Sequence, residues 1–142
     1  MKVGTYKGHV IAVFLRDEHC PPHVHVRGKQ WDARFRFSFL DDSVELWDVD
    51  PERRRPSGAV LLGIRAALMQ RHYLARARRI WWEKIQTVCL ENHSWDLGAD
   101  EVVPGLVIRP GVHVIARAWH DAVGQQTILN LVRIPVWVKI NL

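Results

Sequence analysis

The clearest alternation of apolar and polar positions runs over residues 31–39. Trp31, Ala33, Phe35, Phe37 and Phe39 take the odd positions, and Asp32, Arg34, Arg36 and Ser38 take the even ones. Successive side chains of a strand point to opposite faces, so the pattern predicts a strand with one core face and one wet face. Residues 10–15, Val-Ile-Ala-Val-Phe-Leu, form an apolar run that predicts a short buried strand. Residues 17–22 break it as a loop, because proline lacks the N–H that a sheet ladder needs. Pro22 then opens a strand over His23–Arg27, and Gly28-Lys29-Gln30 supplies a hairpin connection to the next one. In that hairpin Val24 and Val26 share the apolar face with Phe35 and Phe37. His23, His25 and Arg27 share the opposite face with Arg34 and Arg36.

Pro56-Ser57-Gly58 marks a break, after which the periodicity becomes helical. Val60, Leu61, Ile64, Ala67 and Leu68 form one stripe of a helix over residues 59–70. In a second helix, over residues 72–85, Leu74, Ala77, Ile80, Trp81 and Ile85 form the buried face and leave Arg76, Arg78, Arg79 and Lys84 outside. Beyond Thr87 short apolar runs at 102–103, 106–108, 112–115 and 127–132 alternate with Pro104-Gly105, Pro110-Gly111 and Gly124, which predicts short strands. A last strand over 134–140 contains Pro135 and belongs at a sheet edge. The expected fold class is α+β: an antiparallel hairpin sheet with two packed helices over residues 1–87, then a β-rich extension over 88–142.

Composition narrows this little. A chain of 142 residues with 48% hydrophobic and 25% charged positions is that of a globular protein with one core. No apolar run approaches the roughly 20 residues of a membrane helix, and the first residues lack a secretion signal. Cys20 and Cys89, the only cysteines, read as two reduced thiols in a cytoplasm. The net charge of +5 is unevenly placed. Asp41, Asp42, Glu45, Asp48, Asp50 and Glu52 form an acidic stretch; then nine basic residues from Arg53 to Lys84 meet only Glu83. Such a block suits a polyanion, RNA more than DNA, unless the acidic stretch neutralises it within the molecule.

The densest chemistry lies in residues 17–27, D-E-H-C-P-P-H-V-H-V-R. Imidazole changes its protonation near neutral pH without a large environmental shift. His23 and His25, beside Arg27, Arg34 and Arg36, therefore suit phosphate binding, or general acid and base catalysis on RNA with the guanidiniums stabilising the phosphorane. That route requires no cofactor. His19, His23 and His25, with Asp17 as a further donor, form an alternative set for zinc or another divalent metal. Cys20 beside His19 and His23 is a weaker candidate nucleophile. His9, His72, His93, His113 and His120 are scattered.

The P-P-H-V-H-V core at residues 21–26, the A-R-F-R-F strand at 33–37 and R-H-Y-L-A-R-A-R-R-I-W-W-E at 71–83 resemble the domain of unknown function 4160 family over the first ~85 residues. The resemblance implies a small bacterial protein, regarded in that family as a toxin-antitoxin component, with recurrent positions at His19, Pro22, His23 and His25. No established reaction comes with it. The charged residues 41–55 and everything after Thr87 depart from the family pattern.

Three readings follow. The first is a nucleic-acid-directed protein, a metal-independent ribonuclease if catalytic, with His23 and His25 as acid and base and Arg27, Arg34, Arg36, Arg76 and Arg79 on phosphate. The second is the metal site. The third is a non-catalytic interaction or inhibitor module for a cognate protein, with oligomerisation through the C-terminal strands; seven tryptophans favour it.

Overall fold

The computed structural model describes every residue except Leu15 and Asp17. The chain divides into two compact units, Met1–Gln86 and Thr87–Leu142. Among the described residues there are two helices and ten antiparallel strands in two sheets, an α+β fold with a β-rich C-terminal part. No described helix is long and apolar enough to cross a membrane.

The first unit is a five-stranded meander: β1 (Lys2–Tyr6), β2 (His9–Ala12), β3 (His23–Arg27), β4 (Asp32–Phe37) and β5 (Val44–Asp50), side by side in that order. The hairpin register pairs Val24 with Phe35, His25 with Arg34 and His23 with Arg36. Val24, Val26, Ala33 and Phe35 are fully buried, and burying a side chain the size of Phe35 contributes about 2–3 kcal/mol.

Two of the five strands lie outside the sequence expectation. β1 is an additional edge strand. β5 is the acidic stretch itself, and its alternation is obscured by a bulge. Arg34 pairs with Asp48 and Phe35 with Leu46, so Trp47 is an extra residue. A bulge re-aims its side chain, and here that places Trp47 against the hairpin's polar face.

Helices α1 (Gly58–Leu68) and α2 (Arg71–Ile85) pack on each other; α1 also meets β1 and β5, and α2 meets β1. Ser57 caps α1 by accepting from the Val60 N–H. Leu61, Ile64, Ala67 and Leu68 are buried on α1, and Leu74, Ala77, Ile80 and Trp81 on α2. Arg78, expected outside, is buried. Its Nε donates to the Ser38 carbonyl at 2.8 Å, and its Nη2 to the Asp41 carbonyl at 2.6 Å and to Asp42 Oδ1 at 3.3 Å. The β4–β5 loop turns its carbonyls inward, and a buried acceptor needs a donor; the guanidinium supplies several from one side chain.

In the second unit β6 (His93–Asp96), β7 (Glu101–Pro104), β8 (Val112–Asp121), β9 (Gln126–Leu131) and β10 (Trp137–Asn141) form a sheet in the order β10-β9-β8-β6-β7. The last strand occupies an edge as expected, but it begins at Trp137, so Pro135 lies before it rather than within it. β6 is a further strand, and residues 106–108 are not one.

Candidate metal centre

Strand alternation sets His23, His25 and Arg27 on one face of the hairpin with Arg34 and Arg36; Asp32 on β4 faces Arg27, and the adjoining β5 sets Glu45 and Asp48 against Arg36 and Arg34. Arg27 Nε lies 3.3 Å from Asp32 Oδ2, and Arg36 Nη2 lies 3.0 Å from Glu45 Oε2. Arg34 grips Asp48 with both Nε, at 2.8 Å, and Nη2. Each guanidinium on the face has its own carboxylate, so three positive charges meet three negative ones. The face is not the bare cationic surface expected from its histidines and arginines, because Asp32 of the hairpin and Glu45 and Asp48 of β5 neutralise it.

What the loop adds is Glu18. Its side chain, 4% exposed, turns back over β3, so that Oε2 lies 2.5 Å from His23 Nε2 and Oε1 lies 3.2 Å from His25 Nε2. One ligand atom from each of Glu18, His23 and His25 falls within 4.8 Å of the others. His19, expected to complete the histidine set, is exposed and stays outside this group. Its Nδ1 donates to the Cys20 carbonyl at 3.0 Å, and its ring centre is 6.1 Å from that of His23. Asp17 lies outside the described residues.

The far side of each ring fixes what its near side offers. His23 Nδ1 is 2.8 Å from the Pro21 carbonyl. A carbonyl can only accept, so Nδ1 carries the hydrogen. Burial is the main cause that holds the His23 pKa below the ordinary imidazole value, with the neighbouring His25 and Arg34 charges acting in the same sense. The Pro21 carbonyl and the Glu18 carboxylate oppose this without reversing it. Burial thus disfavours the charged ring, and in the neutral form, with its hydrogen on Nδ1, Nε2 turns a lone pair toward the carboxylate. His25 Nδ1 meets Asp32 Oδ1 at 3.2 Å. A neutral His25 has one hydrogen to share between that carboxylate and Glu18.

The result is a buried mismatch. Despite its closeness to His23, Glu18 Oε2 has no hydrogen-bond partner among the described residues. An unsatisfied buried carboxylate oxygen is expensive, and a cation held between the three atoms would remove that cost. Atoms sharing one zinc lie about 3–4 Å apart when each bond is about 2 Å, and small side-chain rotations would close these three around an ion.

The surroundings fit the same donor set. Asp32 on His25 and the Pro21 carbonyl on His23 are the outer hydrogen-bond partners that orient metal-binding imidazoles. Phe14 stacks on His25 with ring centres 4.3 Å apart. Trp47 and Trp81 stand edge-on to His23 at 5.1 and 5.4 Å, and Trp47 also lies under the Arg34 guanidinium at 4.1 Å. A cavity of about 380 Å³ opens beside His25, lined by Asp32, Arg34, Asp48, Val49 and Asp50 as well. Arg27 and Arg34 engage Asp32 and Asp48, so Asp50 is the carboxylate of this lining without a guanidinium among the described residues.

Cys20 offers no nucleophile, because neither cysteine is a free thiol; both are disulfide-bonded. The two cysteines are therefore not the reduced thiols that the sequence suggests. Arg76 and Arg79 lie on the exposed side of α2 rather than at this site. Glu18 stands in the D-E-H-C-P-P-H-V-H-V-R motif but five residues before β3 begins, in a loop where no strand period predicts its direction. No protein-family profile, curated protein or solved structure matches the chain.

Proposed function

We propose that this protein binds a divalent transition-metal ion, zinc foremost, through Glu18 Oε, His23 Nε2 and His25 Nε2. The observation that carries this reading is the buried Glu18 Oε2, which has no hydrogen-bond partner among the described residues and lies against the Nε2 of an imidazole whose Nδ1 is already committed to the Pro21 carbonyl. Two neutral imidazoles and one carboxylate suit zinc or iron(II) better than calcium or magnesium, which prefer all-oxygen sets. With the arginine–carboxylate pairs cancelling, Glu18 leaves the centre one negative charge to meet a dication.

Three protein ligands leave a coordination position for water, and a bound zinc would lower that water's pKa toward neutrality and so supply a hydrolytic nucleophile. The chain's own contribution is to hold the imidazole tautomers through Asp32 and Pro21 and to exclude solvent with Phe14, Trp47 and Trp81. The metal-free ribonuclease reading is less well supplied, since Arg27, Arg34 and Arg36 are each engaged by a carboxylate.

The test is metal analysis of the purified full-length protein, followed by titration of zinc, manganese and iron(II) into chelator-treated protein by calorimetry. Near-stoichiometric binding that disappears in His23→Ala/His25→Ala, with the fold retained by circular dichroism, is expected. Absence of binding for all three ions overturns the proposal.

A further inference from the structure

Several arginines of the first unit are engaged within it, while Arg16, Arg53 and Arg54 are exposed in loops and a short turn with no ion pair among the described residues. Arg27, Arg34, Arg36 and Arg55 each face a carboxylate, Arg65 donates to the Val44 carbonyl, and Arg78 is buried in the β4–β5 loop. Arg71, Arg76 and Arg79 stand together on α2. All three are exposed, and none forms an ion pair among the described residues.

Their placement opposes the stability of the helix. Arg71 is the first residue of α2, where the helix dipole is positive; the first turn contains no acidic residue, and Gln70 provides no side-chain cap. Arg76 and Arg79 follow three residues apart on one face, where like charges repel. Only Glu83 offsets them along the helix. Trp82, three residues beyond Arg79, lies half-buried on the flank of the same face.

We propose that the outer face of α2 binds the phosphate backbone of single-stranded nucleic acid, with Arg71, Arg76 and Arg79 on phosphates and Trp82 available to a base. Charge complementarity selects this occupant: the helix accumulates repulsion that its own fold does not relieve and that a string of phosphates does. An aromatic edge beside a cationic track is the arrangement that single strands use, because every base offers a face for stacking. This site is separate from the metal centre and does not depend on it.

The experiment is fluorescence anisotropy of a labelled 12-nucleotide RNA with the full-length protein over a potassium chloride series. Wild type is expected to bind with log K falling by about 2 per decade of salt, from about −0.7 for each of three phosphates. Arg76→Gln/Arg79→Gln should lower that slope to about −0.7, and Arg76→Glu/Arg79→Glu should cost at least tenfold in affinity at low salt. Arg53→Glu/Arg54→Glu changes the net charge equally on exposed residues outside α2 and should cost much less. Equal losses in the two charge reversals would show attraction by net charge alone and overturn the proposal, as would the absence of binding. Preference for poly-glutamate over RNA would also overturn it, by identifying an acidic protein surface as the occupant. His23→Ala/His25→Ala should bind RNA as wild type does, which separates this outcome from failure of the metal reading.

Discussion

Arg34 and Asp48 face each other across β4 and β5 as a two-point ion pair, with the guanidinium over the Trp47 ring. The pair neutralises the face that carries His23 and His25 and fixes the register on one side of the bulge. Asp48→Asn should leave the fold intact while exposing an uncompensated guanidinium beside the site. Both partners are substantially solvent-accessible, so the loss of stability should be modest, about 1 kcal/mol or less. A lower melting temperature by a few degrees together with stronger retention on a phosphate resin is the expected pair of results. Unchanged retention would mean that Asp48 does not hold Arg34 away from anions.

Glu18→Gln should have opposite effects in the two forms of the protein. Without metal the amide can donate to His23 Nε2, which relieves a buried unsatisfied carboxylate, and stability should rise by about 1 kcal/mol. With zinc the variant loses its charged ligand, and the metal-induced rise in melting temperature should shrink sharply. Thermal melts with and without zinc measure both effects. Parallel destabilisation in the two conditions would instead show Glu18 acting only as a packing and ion-pair residue.

Asp32→Asn should weaken zinc binding by about 10–100-fold, the usual effect of removing the partner that orients a metal-bound imidazole. Asp32→Glu should recover part of that loss. Calorimetric affinity for zinc, read beside an unchanged melting temperature of the metal-free protein, distinguishes orientation of His25 from a general structural role.

The hairpin is legible in the sequence because Phe35 and Phe37 against Val24 and Val26 permit one register; a shift of one residue would turn every apolar side chain outward. The two helices are legible from the stripes that begin at Leu61 and Leu74. β5 is not, for a physical reason: the extra residue Trp47 interrupts the period of two, and Glu45, Asp48 and Asp50 read as solvated charge until the arginines opposite them are known. Arg78 is hidden for a related reason. Its burial answers to the Ser38 and Asp41 carbonyls, forty and thirty-seven positions away, and helical periodicity carries no trace of them. His23 and His25 are legible as a pair on one face, whereas the part of Glu18 depends on how residues 18–22 fold back.

Arg78 therefore makes a stringent test of the packing. Arg78→Met fills a similar volume but leaves the Ser38 and Asp41 carbonyls without their donor, and should cost about 3 kcal/mol or more. Arg78→Lys should recover little, because one ammonium group cannot reproduce the forked geometry that reaches two carbonyls and Asp42. Urea denaturation measures both variants; near-wild-type stability of the lysine variant would show that charge, not the fork, matters there.

Acid should destabilise the protein through its depressed aspartates, of which Asp48 and Asp41 have different kinds of partner. The Arg34 hydrogen bond, foremost, holds the Asp48 carboxyl below its ordinary pKa, and the Ser43 side chain does the same for Asp41. A folded-state pKa below the unfolded value, about 3.9 for aspartate, means that the unfolded chain takes up the proton first as pH falls. Stability from these groups is thus fully present above about pH 4–5 and is lost as pH drops through the lower, folded values. Salt separates the two: screening should weaken the Asp48 contribution, which rests on an accessible ion pair, more than that of Asp41, which rests on a hydroxyl. Melting temperatures from pH 6 to pH 2.5 at low and high salt should fall in this window, with the fall shallower in Asp48→Asn. A curve flat to pH 2.5 would contradict the depressed carboxyls, and an Asp48→Asn curve as steep as wild type would remove the Arg34–Asp48 pair as a source of the loss.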